Sequence, residues 1–229
     1  MPVAEPAQSI LDYGTLLVLI CAVIFVVVMG LLAFTVIRFR ASAVDDGQEP
    51  PQIYGSDQLE LAWTIVPILI VIVLGLITAG RIVALQKDEP PPGSLAVRIV
   101  GHQWWWELEY PDHGFVTANE LHLPVDRVAF LTLESEDVIH SFWLPQLAGK
   151  LDVIPNRKNT MWIEPQKTGM FVGQCAEYCG TQHANMLLRV FVHEPEDFER
   201  WVREQQLEAR RVDAHAEGIG RGYGLIGAL

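Results

Sequence analysis

The chain reads as a two-helix transmembrane hairpin followed by an all-β Greek-key domain. Three observations predict this. Two long uncharged apolar runs end by Gly80, a stiff Pro-rich segment follows them, and short alternating strands separated by Gly, Pro, Asp and Asn then continue to residue 193. The predicted units are 1–86, the N-terminal segment and hairpin with spans at about 16–37 and 61–82; 87–94, a linker; 95–193, the β domain; and 194–229, a C-terminal helix and tail. At 229 residues, half of them hydrophobic, the chain has room for one soluble domain plus membrane segments. Its formal charge of −12 argues against nucleic acid as a partner and favours a basic protein.

Met1 to Gly14 carries Pro and acidic residues but no Lys or Arg, so it lacks the basic region of a signal peptide and reads as a short exposed lead-in. Leu16 to Ile37 is uncharged and long enough to cross the hydrocarbon core as a helix. Cys21, inside that run, reads as an inert packing residue. Arg38 and Arg40 follow at once, and against the Lys- and Arg-free N-terminus they place the next loop in the cytoplasm. Leu61 to Gly80 is the second uncharged run, which Pro67 should kink rather than end. Both ends of the hairpin then lie on one side, with the N-terminus and the C-terminal domain extracytoplasmic. Pro90-Pro91-Pro92-Gly93 makes the linker stiff.

Strands are expected around Val97 and Ile99, then at Trp104 to Tyr110, Glu120 to Leu123, Val128 to Leu133, Met161 to Ile163, Met170 to Val172 and Leu187 to Val192, a rhythm that suits a cupredoxin-like sandwich or barrel. Pro195 to Arg211 reads as an amphipathic helix packing through Phe198, Trp201, Val202 and Leu207. The Gly-rich stretch Gly218 to Leu229 reads as a mobile tail or a strip that docks on a partner.

The chemistry concentrates in Gly173 to Met186, G-Q-C-A-E-Y-C-G-T-Q-H-A-N-M. Cys175 and Cys179 are four apart, His183 is four further on and Met186 three after that, so a tight loop could aim all four at one point. Thiolate with thioether prefers copper, and imidazole accepts copper or zinc. Two thiolates, rather than the single one of a mononuclear blue-copper site, suit a pair of bridged copper ions once a second imidazole joins. His140, in Asp137-Val138-Ile139-His140, is the candidate. A disulfide or a zinc site are the competing readings, and neither needs Met186.

With these residues the chain resembles cytochrome c oxidase subunit II, the family of haem-copper oxidase subunits that carries the dinuclear CuA centre. The resemblance implies bridging thiolates at Cys175 and Cys179, imidazoles at His140 and His183, a thioether at Met186 and a backbone carbonyl at Glu177, whose carboxylate would help hold a magnesium ion against subunit I. In Gly101-His102-Gln103-Trp104 it implies that Trp104 is the surface aromatic through which cytochrome c, or a similar haem donor, delivers its electron. In Glu60-Leu61-Ala62-Trp63 it implies that Glu60 lies at the entrance of a proton pathway into subunit I, although a carboxylate there also suits the positive end of a helix. Lys150 to Arg157 is similar to the segment near the haem propionates, with Asn156 where Gly is common.

The function so implied is electron acceptance from cytochrome c and transfer to haem in subunit I, for reduction of O2 to water coupled to proton translocation. Subunits I and III, membrane lipid and a bacterial plasma membrane, rather than a mitochondrial inner membrane, are the implied surroundings. A cation-rich donor would be drawn by Glu107, Glu109, Asp112, Glu134, Glu136 and Asp137, with salt-sensitive docking. The alternatives are the CuA subunit of a nitric oxide reductase of the same superfamily and a copper-free quinol oxidase scaffold.

Overall fold

The structure, a computed structural model, describes residues 1–40, 52, 54–86 and 89–207. Most of the loop between the spans and the tail from Gly218 to Leu229 lie outside the described residues. Helix α1 runs Glu5–Arg38 and α2 runs Asp57–Leu85. Both are longer than the uncharged runs, because helix continues into flanking turns where polar groups are tolerated. At 1.5 Å per residue they reach roughly 50 and 45 Å, beyond a hydrocarbon core of about 30 Å. Their apolar windows, of mean hydropathy 3.3 and 2.7, bury nothing within the chain, which leaves the side chains to lipid or to other helices. Cys21 is accordingly exposed on α1 instead of packed. Pro67 sits inside a continuous α2. Tyr13 pairs with the Thr78 hydroxyl, and Arg81 Nη1 donates to Ser9 Oγ at 3.3 Å, so polar contacts join the helices near the end that carries the β domain.

The first residues are not an exposed lead-in. Val3 and Ala4 are buried at 9% and 1% exposure. The Val3 amide donates to Gln146 O and its carbonyl accepts from the Gln166 amide, both at 2.8 Å, while Ala4 bridges Pro165. Two small apolar residues with their backbone groups paired have more to gain on the β domain than in water. At the far end of the hairpin Trp162 Nε1 donates to Leu85 O at 2.9 Å. The chain's start and the β domain therefore lie on the same side of the hairpin.

The ten strands are β1 Leu95–His102, β2 Trp105–Tyr110, β3 Phe115–Ala118, β4 Glu120–Pro124, β5 Ala129–Ser135, β6 His140–Trp143, β7 Lys150–Val153, β8 Asn159–Ile163, β9 Gly169–Cys175 and β10 Leu187–His193. They form two five-stranded sheets, ordered β3-β2-β1-β5-β8 and β4-β10-β9-β6-β7. β1 pairs parallel with β5 and β10 with β4; the other pairs are antiparallel. Alternate residues supply the core between the sheets, among them Val97, Ile99, Trp106, Leu108, Tyr110, Leu131 and Leu133 from one and Leu121, Leu123, Phe142, Leu188 and Val190 from the other. β3, β6 and β7, each four residues long, are too short for periodicity to have revealed them.

Helix α3 spans Pro195–Gln205, ending before the predicted Arg211. Phe198 and Val202 are buried, but Leu207, beyond the helix end, is 73% exposed among the described residues. The helix docks through Trp201, whose ring lies flat on His122 at 4.0 Å. Phe191 covers the other side of that imidazole, and His122 Nδ1 meets His193 Nε2 at 2.8 Å.

Burial first, and then the charge of His193, lower the His122 pKa to about 4. The folded chain thus holds this ring neutral where the unfolded chain, near 6.5, protonates it. Its contribution to stability is present above the unfolded value and is lost as pH falls from about 6.5 towards 4. The melting temperature should drop between neutral pH and about pH 4.5, and less steeply in His122→Phe. An equally steep drop in that variant would assign the acid sensitivity elsewhere.

Candidate metal centre

Strand register builds the site. Phe142 faces Cys175 in the antiparallel pairing of β6 with β9, so His140, two residues back, comes alongside the turn that leaves β9. That ring needs space that only glycine provides. A Cβ on Gly101 of β1 would sit 2.8 Å from His140 Cδ2. His140 is fully buried, with Nδ1 3.9 Å from Cys175 Sγ and Nε2 2.8 Å from Asp137 Oδ1. The same carboxylate accepts from the amides of Val138 and Gln103, each at 2.6 Å. One acid thereby orients the imidazole and joins the β5–β6 turn to the end of β1.

After Cys175 the chain makes a closed loop. The Ala176 amide donates to Ser141 O and the Cys175 amide to Met186 O, which pins both ends of the loop. Gly180 takes a positive φ of 122°, a conformation costly for other residues, and the short 3-10 helix His183–Asn185 follows. The result brings the predicted donors around one point. Cys175 and Cys179 sulfurs are 3.8 Å apart, Cys179 Sγ is 3.6 Å from His183 Nδ1 and 3.7 Å from Met186 Sδ, and Glu177 O is 3.2 Å from Cys175 Sγ. Ligand atoms of His140, Cys175 and Cys179 all lie within 4.8 Å of one another.

Both cysteines are free thiols, far beyond the ~2.05 Å of a disulfide bond. Two sulfurs, two imidazoles, a thioether and a carbonyl make a soft donor set that fits copper, and Met186 has no place in a four-coordinate zinc site.

The electrostatics favour a cation here. Burial opposes ionisation of Cys175, but hydrogen bonding to His140 and to the backbone about Ser141 and Glu177 outweighs it and brings the thiol down to about 6. Burial, reinforced by the negative charge of Cys175, pushes Cys179 up to about 12. Burial lowers His140, yet Cys175 and Asp137 more than reverse this and its pKa rises. For Asp137 burial is likewise outweighed, by His140 and the two amides, and its pKa falls. One thiolate forms readily and the second waits for positive charge.

Trp104 is half-buried beside the loop. Its indole Nε1 donates to Cys179 O at 3.2 Å, and Gln103 Nε2 donates to the same carbonyl at 2.7 Å. Glu177 projects an exposed carboxylate outward, and His183 is half-buried at the loop's edge. Glu60 is not part of this cluster. It stands exposed in the first turn of α2, at the end of that helix remote from Leu85. Sequence reading missed the roles of Gly101 and Gln103, and it read Asp137 as a docking charge. An acid three residues before a ligand histidine was the available signal.

The sequence matches the family described as cytochrome c oxidase subunit II, periplasmic domain, over residues 116–192. It matches the one described as cytochrome c oxidase subunit II, transmembrane domain, over residues 2–79. Cytochrome c oxidase subunit 2 of Alkalihalophilus pseudofirmus is 33% identical over 96% of this chain and 65% of its own length. That of Bacillus subtilis is 33% identical over 90% of this chain and 61% of its own. The probable cytochrome c oxidase subunit 2 of Rickettsia bellii is 30% identical over 88% and 80%. The chain thus spans a little under two thirds of the length of the first two. Among solved structures, the periplasmic domain of subunit II of the Bradyrhizobium japonicum cytochrome oxidase is similar, with 37% identity, a TM-score of 0.49, and coverage of 50% of this chain and 95% of that one.

Gly101→Ala tests the cradle. The added methyl would force His140 to shift, and copper affinity should fall by roughly 10- to 100-fold, or the visible spectrum change, with the fold intact by circular dichroism. Unchanged affinity and spectrum would show that the ring is not held by this contact.

Proposed function

The chain belongs to the cytochrome c oxidase subunit II family, and from this we propose that it is the electron-accepting subunit of a haem-copper cytochrome c oxidase in a bacterial plasma membrane. One observation carries the reading: six donor groups converge at the end of the β sandwich, with a surface indole hydrogen-bonded to the loop that holds five of them. His140, Cys175, Cys179, His183, Met186 and the Glu177 carbonyl would hold the metal. Bound there, copper would supply a one-electron acceptor.

The protein's own residues do the rest. Trp104 meets the donor, and its N–H on Cys179 O provides a short path from the surface to the ligand loop. Asp137 holds His140 in one tautomer and orientation. Burial of His140, Met186 and both cysteines excludes water, so ligands fixed by backbone pairing need to rearrange little when charge arrives. His183, at the loop's rim, is suited to pass the electron to haem in subunit I, and the Glu177 carboxylate beside it to bind magnesium at that boundary. With the β domain outside the membrane, α2 begins at the cytoplasmic face, where Glu60 would admit protons to subunit I.

Electron paramagnetic resonance with metal analysis, on the copper-loaded full chain in detergent, tests the centre. Two coppers sharing one unpaired electron are expected. Zinc, or no metal with Cys175 and Cys179 oxidised to a disulfide, would favour a copper-free scaffold. Glu60→Gln in the assembled oxidase should slow steady-state oxygen reduction without slowing reduction of the copper by the donor. Normal turnover would reduce Glu60 to a helix-end charge.

A further inference from the structure

The metal loop is held at its ends and at one point in its middle. The Ala176 and Cys175 amides pin the ends, donating to Ser141 O and Met186 O. Between Glu177 and Gln182, among the described residues, the hydrogen bonds that leave the loop for the rest of the chain both end on the Cys179 carbonyl. They come from Gln103 Nε2 at 2.7 Å and Trp104 Nε1 at 3.2 Å. A carbonyl oxygen has two lone pairs, and both are engaged here. Glycine at 180 permits the approach, since a Cβ there would stand 3.0 Å from Gln103 Nε2 and 3.1 Å from Trp104 Nε1.

Cys179 is the donor that most needs this hold. Its sulfur lies 3.8 Å from Cys175 Sγ, 3.6 Å from His183 Nδ1 and 3.7 Å from Met186 Sδ, so a shift of its backbone alters three donor separations at once. Gln103 also reaches the other half of the donor set. Its backbone amide donates to Asp137 Oδ2 at 2.6 Å, and Asp137 Oδ1 meets His140 Nε2 at 2.8 Å. One residue just past β1 thus links the β6 imidazole to the loop thiol, by main chain on one side and by side chain on the other. The two links are separable, because a side-chain substitution removes the bond to Cys179 O and leaves the amide on Asp137.

Resting on the reading of this site as a copper centre that accepts electrons, we propose that Gln103 is a positioning residue for that centre, its side-chain amide fixing Cys179 against His140 and thereby setting the geometry and reduction potential of the metal. The amide N–H is the positive end of a dipole aimed at the ligand loop, so it favours the centre with the added electron over the centre without it. Gln103 itself exchanges neither proton nor electron: the reduced donor haem loses one electron and the metal centre gains it. Gln103 is exposed beside Trp104. A residue that only touched the donor would alter donor binding and leave the metal unchanged, which makes the two roles distinguishable.

The test compares Gln103→Leu and Gln103→Asn with the unaltered oxidase complex, with reduced cytochrome c as the electron donor. Leucine removes the amide, and asparagine keeps it but is one methylene short of Cys179 O. Both variants should show an altered copper hyperfine splitting in electron paramagnetic resonance and an equilibrium for copper reduction about threefold less favourable, a midpoint potential about 30 mV lower at about 59 mV per tenfold for one electron. The rate of copper reduction at saturating donor should fall about tenfold, while the donor concentration for half-maximal rate stays within about twofold. An unaltered copper signal and potential in both variants would overturn the positioning role, whether or not donor binding weakens. If the unaltered complex gives no copper signal from this subunit, the reading of the site as a copper centre fails instead, and that outcome is seen before any variant is made.

Discussion

The pairing of Phe142 with Cys175 is the constraint on which the site depends. Side chains alternate along a strand, so a slip of one residue would turn His140 away from the thiols and carry Ser141 into its place. The register is held by what lies on either side of it. Phe142 packs edge-on against Trp106 in the core, β7 pairs with β6 from His140 to Trp143, and the two ends of the metal loop are stitched by the Ala176 and Cys175 amides. Asp137 completes the arrangement because it cannot be moved without releasing an imidazole and two amides together. The soft donors are thus fixed by ordinary sheet hydrogen bonding, and the chemistry needs no flexible part.

Such rigidity matters because the donors repel one another in the form that binds metal. Burial, and then the charge of Cys175 3.8 Å away, push Cys179 up to about 12, while, against burial, hydrogen bonds to His140 and the backbone bring Cys175 down to about 6, so the two do not both ionise cheaply. A loop free to relax would separate them. Here the loop is closed by its own backbone, and the unfavourable proximity persists until a cation relieves it.

The legible parts of the chain were those with a local signature. Uncharged runs announced both helices, and the spacing from Cys175 to Met186 announced a metal loop whose donors do converge. What escaped was decided by partners distant in sequence. Val3 and Ala4 show no periodicity of their own, and their burial depends on Gln146, Pro165 and Gln166. Glu109 and Glu134 look like free acids until the strand order β2-β1-β5 places Arg98 between them. Asp137 carries the same formal charge as Glu136 one residue earlier, yet only the fold assigns it to His140. Leu207 satisfied the helical pattern, but α3 ended before it.

The backbone pairing of Val3 and Ala4 also dictates an order of manufacture. Val3 and Ala4 are made before the strands that receive them, and both long apolar helices come between. Val3 and Ala4 stay without these partners until the segment around Gln146 to Gln166 has been made and folded. Docking of Val3 and Ala4 therefore reports that the β domain has already folded, because the groups that receive them exist only in its finished form.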